Sequence, residues 1–213
     1  VAVSASLFPE SVETDRLRLE RVDADDAGAL DLYEHWRTEA PNVEESTEYV
    51  SWEPYDHPNG VAETLERAVD RVEGGDGAMY LLRPRDGEDR AGEIAGTTGL
   101  FTGWDQRLAV FGMWLRKPFW GRGYSGERAD ALFELAFDRL DLDVVRVSHV
   151  PENTNSERAI TKYVDRHGGR REGRFRNRVS FDDGSIHDTV EYSVSQSEWA
   201  AADGAETAVE FRD

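Results

Sequence analysis

Cysteine is absent from all 213 residues. A disulfide framework, a thiolate metal site and a cysteine nucleophile are therefore excluded. Lysine stands only at Lys117 and Lys162, so the 25 basic residues are almost all arginine. No stretch approaches the roughly 18 apolar residues of a membrane helix. Val1 to Phe8 carries neither the basic segment nor the cleavage site of a signal peptide, and a cytoplasmic protein without a membrane partner is expected. Positive charge is also short. The 44 acidic residues leave a net charge of -19, which argues against a nucleic-acid partner. Such a balance reads as a solvated acidic coat suited to very high internal salt. Attraction of basic substrates is the other reading, weakened because the screening length falls to about 3 Å at molar salt. The length suits one domain, residues 1–213, built around one sheet.

What is present is a clear succession of periodic segments. Arg16 to Val22 alternates Leu17 and Leu19 with charged residues, as a half-buried strand does, and Asp23 offers an N-cap for a helix through about Arg37. Pro41 to Gly60 mixes Pro41, Pro54 and Pro58 with Trp52 and Tyr55 and reads as an aromatic-rich loop. A helix over Val61–Val72 follows, buried along Val61, Leu65, Ala68, Val69 and Val72. Three apolar runs, Ala78–Leu82, Ile94–Phe101 and Leu108–Leu115, are joined by short turn-like segments and predict an antiparallel meander. Beyond them an amphipathic helix runs to Leu140, and Val144 to Val150 is a β-branched run of a central strand. A helix over Ser156–Arg166, strands over Arg171–Val179 and His187–Val194, and a polar tail from about Ser195 complete the chain.

Between the meander and the amphipathic helix stands RKPFWGRGYSG. A helix N-terminus has unpaired backbone N–H groups and partial positive charge, so a glycine turn feeding one can wrap a pyrophosphate. The plainer reading is a tight turn and nothing more. GRGYSG also satisfies the dinucleotide fingerprint GxGxxG. Against that reading, five residues separate the turn from its strand, about half the chain precedes it, and Glu152 is too distant for the ribose-binding acid. No Gly-Lys-Ser/Thr follows, which removes a Walker loop.

Taken together these segments resemble the GNAT superfamily of acetyltransferases, and within it the ribosomal-protein N-terminal acetyltransferase-like branch with a composition of haloarchaeal type. The resemblance runs from Val12 to Trp199 through ETDRLRLERVDADDAGAL, FGMWLRKPFWGRGYSGERADALFELAF, VPENTNSERAITKYV and DDGSIHDTVEYSVSQSEW. It implies a mixed α/β fold whose mostly antiparallel sheet has about seven strands flanked by about four helices. It also implies acetyl-CoA as cosubstrate and an amine as acceptor. The oligomeric state stays open: Trp52, Tyr55 and Trp104 read as lining a pocket, meeting a second subunit in a homodimer, or packing. Trp120, Gly121, Arg122, Gly123, Tyr124 and Ser125 fill the six-residue pyrophosphate signature, with Trp120 and Ser125 departing from the commoner residues. Gly126 and Lys162 join the implied cofactor set. The strand ending at Trp114 and Leu115 is expected to splay from its neighbour and expose backbone groups to the pantetheine arm, although Trp114 also reads as a core aromatic.

The resemblance places Asn153 and Ser156 near the thioester. Ser156 is the candidate for protonating the departing sulfur; for Asn153 the other reading is a helix cap. Ile160 stands where many related enzymes have an acidic tyrosine, and Tyr163 reads as packing. Glu53, in the WEPYD loop, and His149, on the central strand, are the candidate bases. His149 reads equally as a satisfied core histidine, and water is a third route. His187 and Asp188 read as structural hydrogen-bonding residues. No metal is expected. Two other functions remain open here: a coenzyme A binding module without turnover, and a nucleotide oxidoreductase.

Overall fold

Leu17 and Leu19 point the same way from their strand, and both are fully buried in the computed structural model, which describes residues 7–23, 28–202 and 207–213. Their strand is the second of nine among the described residues: β1 (Ser11–Glu13), β2 (Leu17–Arg21), β3 (Gly77–Pro84), β4 (Gly96–Gly103), β5 (Leu108–Leu115), β6 (Val144–His149), β7 (Arg170–Ser180), β8 (Ile186–Ser195) and β9 (Glu210–Arg212). The helices are α1 (Ala29–Trp36), α2 (Val43–Thr47), α3 (Pro58–Gly74), α4 (Tyr124–Glu134), α5 (Thr154–Arg166) and α6 (Gln196–Ala201). One sheet contains every strand, in the order β7-β8-β6-β5-β4-β3-β2-β1-β9. The counts exceed the expected seven and four; the class is as expected.

Strand alternation sorts the core into two layers. Tyr80, Leu82, Phe111 and Met113 face α4 and α5, while Leu81, Met79 and Trp114 face α1 and α3. The meander β2 to β5 pairs antiparallel throughout. Among the strands of the described residues only β5 and β6 run parallel, and they pair over just Leu108–Val110 against Val144–Arg146. Both strands continue past that point, to Leu115 and His149, so they diverge and open a wedge. A sheet with one parallel pair is not the parallel sheet of a dinucleotide-binding fold, and the oxidoreductase reading falls with it.

Several boundaries differ from expectation for physical reasons. Helix α1 begins at Ala29 behind Gly28, and Asp23 pairs with Arg21 through Oδ1 at 3.0 Å rather than capping it. Residues 24–27 of the expected helix lie outside the described residues. Five residues of the Pro41–Gly60 loop form α2. The expected polar tail from Ser195 instead starts with a capping box, in which Ser195 Oγ accepts from Glu198 N and Glu198 reaches back to Ser195 N. Trp199 then packs on the core, and β9 pairs antiparallel with β1.

His187 and Asp188 do have structural partners, though not each other. His187 meets Ser185 at 2.7 Å, and Asp188 accepts from Arg174 Nε and the Asn177 N–H. The Asn177 backbone bond, then Arg174, hold the Asp188 carboxyl below its ordinary range. A depressed folded value means that stabilisation is full above the unfolded carboxyl value, about 3.9, and is lost as pH falls through it to the folded one. Amide protection in the β7–β8 hairpin, taken as exchange relative to the unprotected rate at each pH, should therefore fall below about pH 4 ahead of that in the central strands. Uniform exchange across all strands would contradict this.

Candidate active site

The wedge between β5 and β6 floors a cleft of about 840 Å³, walled by α4 on one side and α5 on the other. Each wall follows from local sequence. Gly121 and Gly123 take left-handed φ values of 75° and 83°, which β-carbon-bearing residues rarely adopt, and so turn the chain sharply into α4. Nothing stands within 4 Å of where a Cβ of Gly121 would lie. Gly123 is the α4 N-cap and offers no side-chain hydrogen bond, which leaves the first helical N–H groups to a ligand. Gly121, Gly123, Tyr124, Ser125 and Gly126 all line the cleft.

Two anchors hold this turn. Trp120 donates its indole N–H to the Leu115 carbonyl at 2.8 Å, tying the turn to the end of β5. On the far side, buried Glu127 accepts from Thr14 Oγ1, Arg16 N and Arg16 Nε at 2.6, 2.8 and 2.7 Å. Arg122 does not face the cleft. Its guanidinium binds Asp89, so of the expected pyrophosphate residues it can contribute backbone alone. Sequence spacing could not reveal Asp89, 33 residues away. Tyr124 donates to Glu88 at 2.7 Å, and burial, then that carboxylate, raises its phenol.

The opposite wall contains the expected Asn153, Ser156 and Lys162, all lining the cleft. Asn153 Oδ1 accepts from Ser156 N at 2.9 Å, so its side chain caps α5 and holds the Ser156 backbone. Lys162 is one of three cations. Arg158, Lys162 and Arg166 stand four residues apart on one face of α5 and line the cleft together. In a chain with net charge -19 this stripe gathers three cations against one cleft, and its four-residue spacing was visible in the sequence.

On the floor, Trp114 and Leu115 line the cleft as expected. Trp114 is also a core aromatic, meeting Trp36 and Trp52 edge-on at 6.0 and 5.8 Å. His149 lines the floor, 6% exposed, and its Nδ1 lies 2.8 Å from the Val150 carbonyl, which can only accept. Its Nε2 faces Tyr192 Oη at 3.4 Å. Both nitrogens thus have partners, the arrangement of a satisfied core histidine. Glu53 is exposed and outside the cleft lining; its loop instead supplies Trp52 and Tyr55 to the aromatic cluster around Trp36. The carboxylates at the mouth are Glu45, Glu48 and Glu152. Glu45 pairs with Lys117. The hydrogen bond to Glu48, then burial, raises the Tyr49 phenol beside them.

Residues 16–163 match the family model described as an acetyltransferase (GNAT) domain. The uncharacterized N-acetyltransferase p20 of Bacillus licheniformis is 27% identical over 149 residues, covering 69% of this chain and 77% of that protein. A GCN5-related N-acetyltransferase from Brucella melitensis has a TM-score of 0.72 at 22% identity, over 90% of this chain and 80% of its own. The microcin C7 self-immunity acetyltransferase MccE, crystallised with acetyl-CoA and AMP, has a TM-score of 0.69 at 16% identity, over 85% and 93%. The last two share the fold. With the family model covering most of the chain from β2 to α5, the protein belongs to the GNAT acetyltransferase family.

Proposed function

We propose that the chain transfers an acetyl group directly from acetyl-CoA to a primary amine. The observation that carries this reading is the pairing of an uncapped α4 N-terminus with a wedge between parallel strands at one cleft. Phosphates would meet the backbone N–H groups after Gly123, with Arg158, Lys162 and Arg166 facing them. The pantetheine arm would then run along the unpaired edge of β5, and its thioester would lie in the wedge. The fold relative MccE was crystallised with acetyl-CoA, which supports the same ligand here.

An acetyl thioester is already activated. The protein needs to align a neutral amine with the carbonyl carbon, donate hydrogen bonds to the developing oxyanion and return a proton to the sulfur. Backbone N–H groups on the splayed part of β5 suit the second task, and Ser156 the third. His149 has both nitrogens engaged and Glu53 lies outside the cleft, so water carries the amine's proton away past Glu48 and Glu152. Those carboxylates also favour a cationic amine at the mouth, more so at low salt than at molar salt. The acceptor is a protein N-terminus, as in the ribosomal-protein branch, or a small amine. An acidic, salt-adapted cytoplasmic enzyme fits the composition, and a homodimer would cover Phe175 and Ile186, 42% and 60% exposed.

The test is thiol release from acetyl-CoA at molar salt across a panel of polyamines, amino acids and N-terminal peptides. Release that depends on the amine, with an acetylated product by mass, is the expected result. Coenzyme A binding without transfer to any amine would leave the binding-module reading instead. Within the active enzyme, Ser156→Ala should lower kcat by about 10²-fold while KM for acetyl-CoA changes little. An unchanged kcat would remove Ser156 from the proton path.

A further inference from the structure

Arg128 belongs to the second turn of α4 and is 2% exposed, yet it lines the cleft. Its Nη2 contacts only Met113 Sδ, at 3.2 Å, and among the described residues Nε and Nη1 have no hydrogen-bond partner. The charge lies beside the rings of Phe111 and Tyr163, 5.9 and 6.0 Å from their centroids. Tyr163 lines the same cleft, its buried hydroxyl beside the guanidinium and without any other partner among the described residues. Burial lowers the guanidinium from its ordinary value, and it raises the Tyr163 phenol.

The carboxylate that acts on this charge does not pair with it. Asp130 acts on Arg128 through space, but its Oδ1 is taken by Arg166 and His167 and its Oδ2 by Thr207. What remains at the floor is a guanidinium whose Nε and Nη1 have no hydrogen-bond partner among the described residues, beside a phenol hydroxyl and without a paired carboxylate. A buried cation without an anion is strongly unfavourable, and a planar guanidinium beside a phenol matches a carboxylate in both charge and hydrogen-bond count.

The position along the cleft says which part of a ligand would arrive there. Phosphates held at Gly121–Gly126 put the arm alongside β5 from Leu115 inward. Four residue steps, from Leu115 to Phe111, cover roughly 13 Å of extended strand, comparable to the arm itself. Arg128 meets Met113 and Phe111, two and four residues inward from Leu115, so it lies along the path of the arm toward its reacting end.

We propose that Arg128 and Tyr163 form a carboxylate pocket at the acyl end of the cleft, so that the enzyme takes acyl-CoA donors whose acyl group ends in a carboxylate. This rests on the reading of the cleft as a coenzyme A site. In the transfer, the amine nitrogen attacks the thioester carbonyl carbon, and the C–N bond forms as the C–S bond breaks. The electron pair leaves on sulfur, which takes up a proton equal to the one the nitrogen loses. The product is an amide that keeps its free carboxylate, together with coenzyme A thiol.

Calorimetric titration of acetyl-, malonyl- and succinyl-CoA into the wild type and Arg128→Met at molar salt tests it. In the wild type, malonyl- or succinyl-CoA should bind about tenfold or more tighter than acetyl-CoA. In Arg128→Met that ratio should collapse to within about twofold. The unliganded variant should also melt about 2–4 °C higher, because an unanswered buried charge has been replaced by an apolar chain of similar length. A purely structural Arg128 would give a lower melting temperature. Equal affinity for all three thioesters in the wild type overturns the pocket, and so does a preference that survives in the variant. A variant that weakens every thioester equally would assign Arg128 to the shared arm and also overturn it. Tyr163→Phe removes one hydroxyl and should narrow the preference several-fold, which keeps the proposal testable if Arg128→Met does not fold. No binding of any thioester by folded wild type would instead sink the underlying coenzyme A reading.

Discussion

Gly123→Val is expected to abolish measurable acetyl-CoA binding in a protein that still folds. Gly123 holds φ at 83° as the N-cap of α4. A β-branched residue there costs about 1–3 kcal/mol of backbone strain. Its Cβ would lie 3.4 Å from Arg16 Nη2, an ordinary contact at the end of a flexible side chain, so sterics inside the protein do not forbid the change. The larger effect falls on the ligand. Relief of the strain turns the first N–H groups of α4 away from their common focus, and the valine methyls cover them. Hydrogen bonds to a charged acceptor contribute about 1.5–3 kcal/mol each, so losing two weakens binding by roughly 10²-fold or more. Gly87→Val supplies the control. Gly87 also holds a positive φ, 99°, with open space around its Cβ position, and it lies outside the cleft lining. Calorimetry should show comparable strain in both variants and lost binding only in Gly123→Val. Retained binding there would move the phosphates away from the glycine turn.

What was legible in the sequence followed from period and from punctuation. The β3–β5 meander, β6, α3 and α5 have long regular patterns, and the structure reproduces them within a few residues. Strands β1 and β9 have three residues each, too short to show alternation, and they exist because they pair with one another at the sheet edge. Helix α2 was hidden inside a proline-rich loop for the same reason of length. In α4 the amphipathic pattern puts Ala129, Leu132 and Phe133 on one face. In fact Glu127, Arg128 and Asp130 are all buried as well, because α4 is packed between β2, the cleft and α5. The glycine turn was legible since its chemistry is local. The carboxylate that engages Arg122 and the Arg166 and His167 side chains that engage Asp130 come from 33 to 37 positions away, and no spacing rule encodes those meetings.

Asp130→Ala is expected to cost about 3–5 kcal/mol, the range for breaking a buried ion pair by removing one partner. Asp130 is 1% exposed, and it ties α4 to the end of α5 through Arg166 and His167 and to the chain's last segment through Thr207. Without it, fully buried His167 loses its 2.8 Å partner and Arg166 is left facing Gly126 alone across the gap. Chemical denaturation should place the loss well above that of Asp141→Ala, whose pair with Arg107 at 3.2 Å is exposed and screened by solvent. Salt separates the two mechanisms. The Debye length is about 3 Å at molar ionic strength, so the exposed pair's contribution should vanish there while the Asp130 loss persists. Because Arg166 also lines the cleft, the variant should bind acetyl-CoA more weakly, and added ligand should then restore less of its melting temperature than in the wild type. Asp130→Asn keeps the acceptor oxygen and removes the charge. If it behaves as the wild type, hydrogen bonding alone holds α4 to α5; if it falls with Asp130→Ala, the wall that presents the cationic stripe depends on that one buried negative charge.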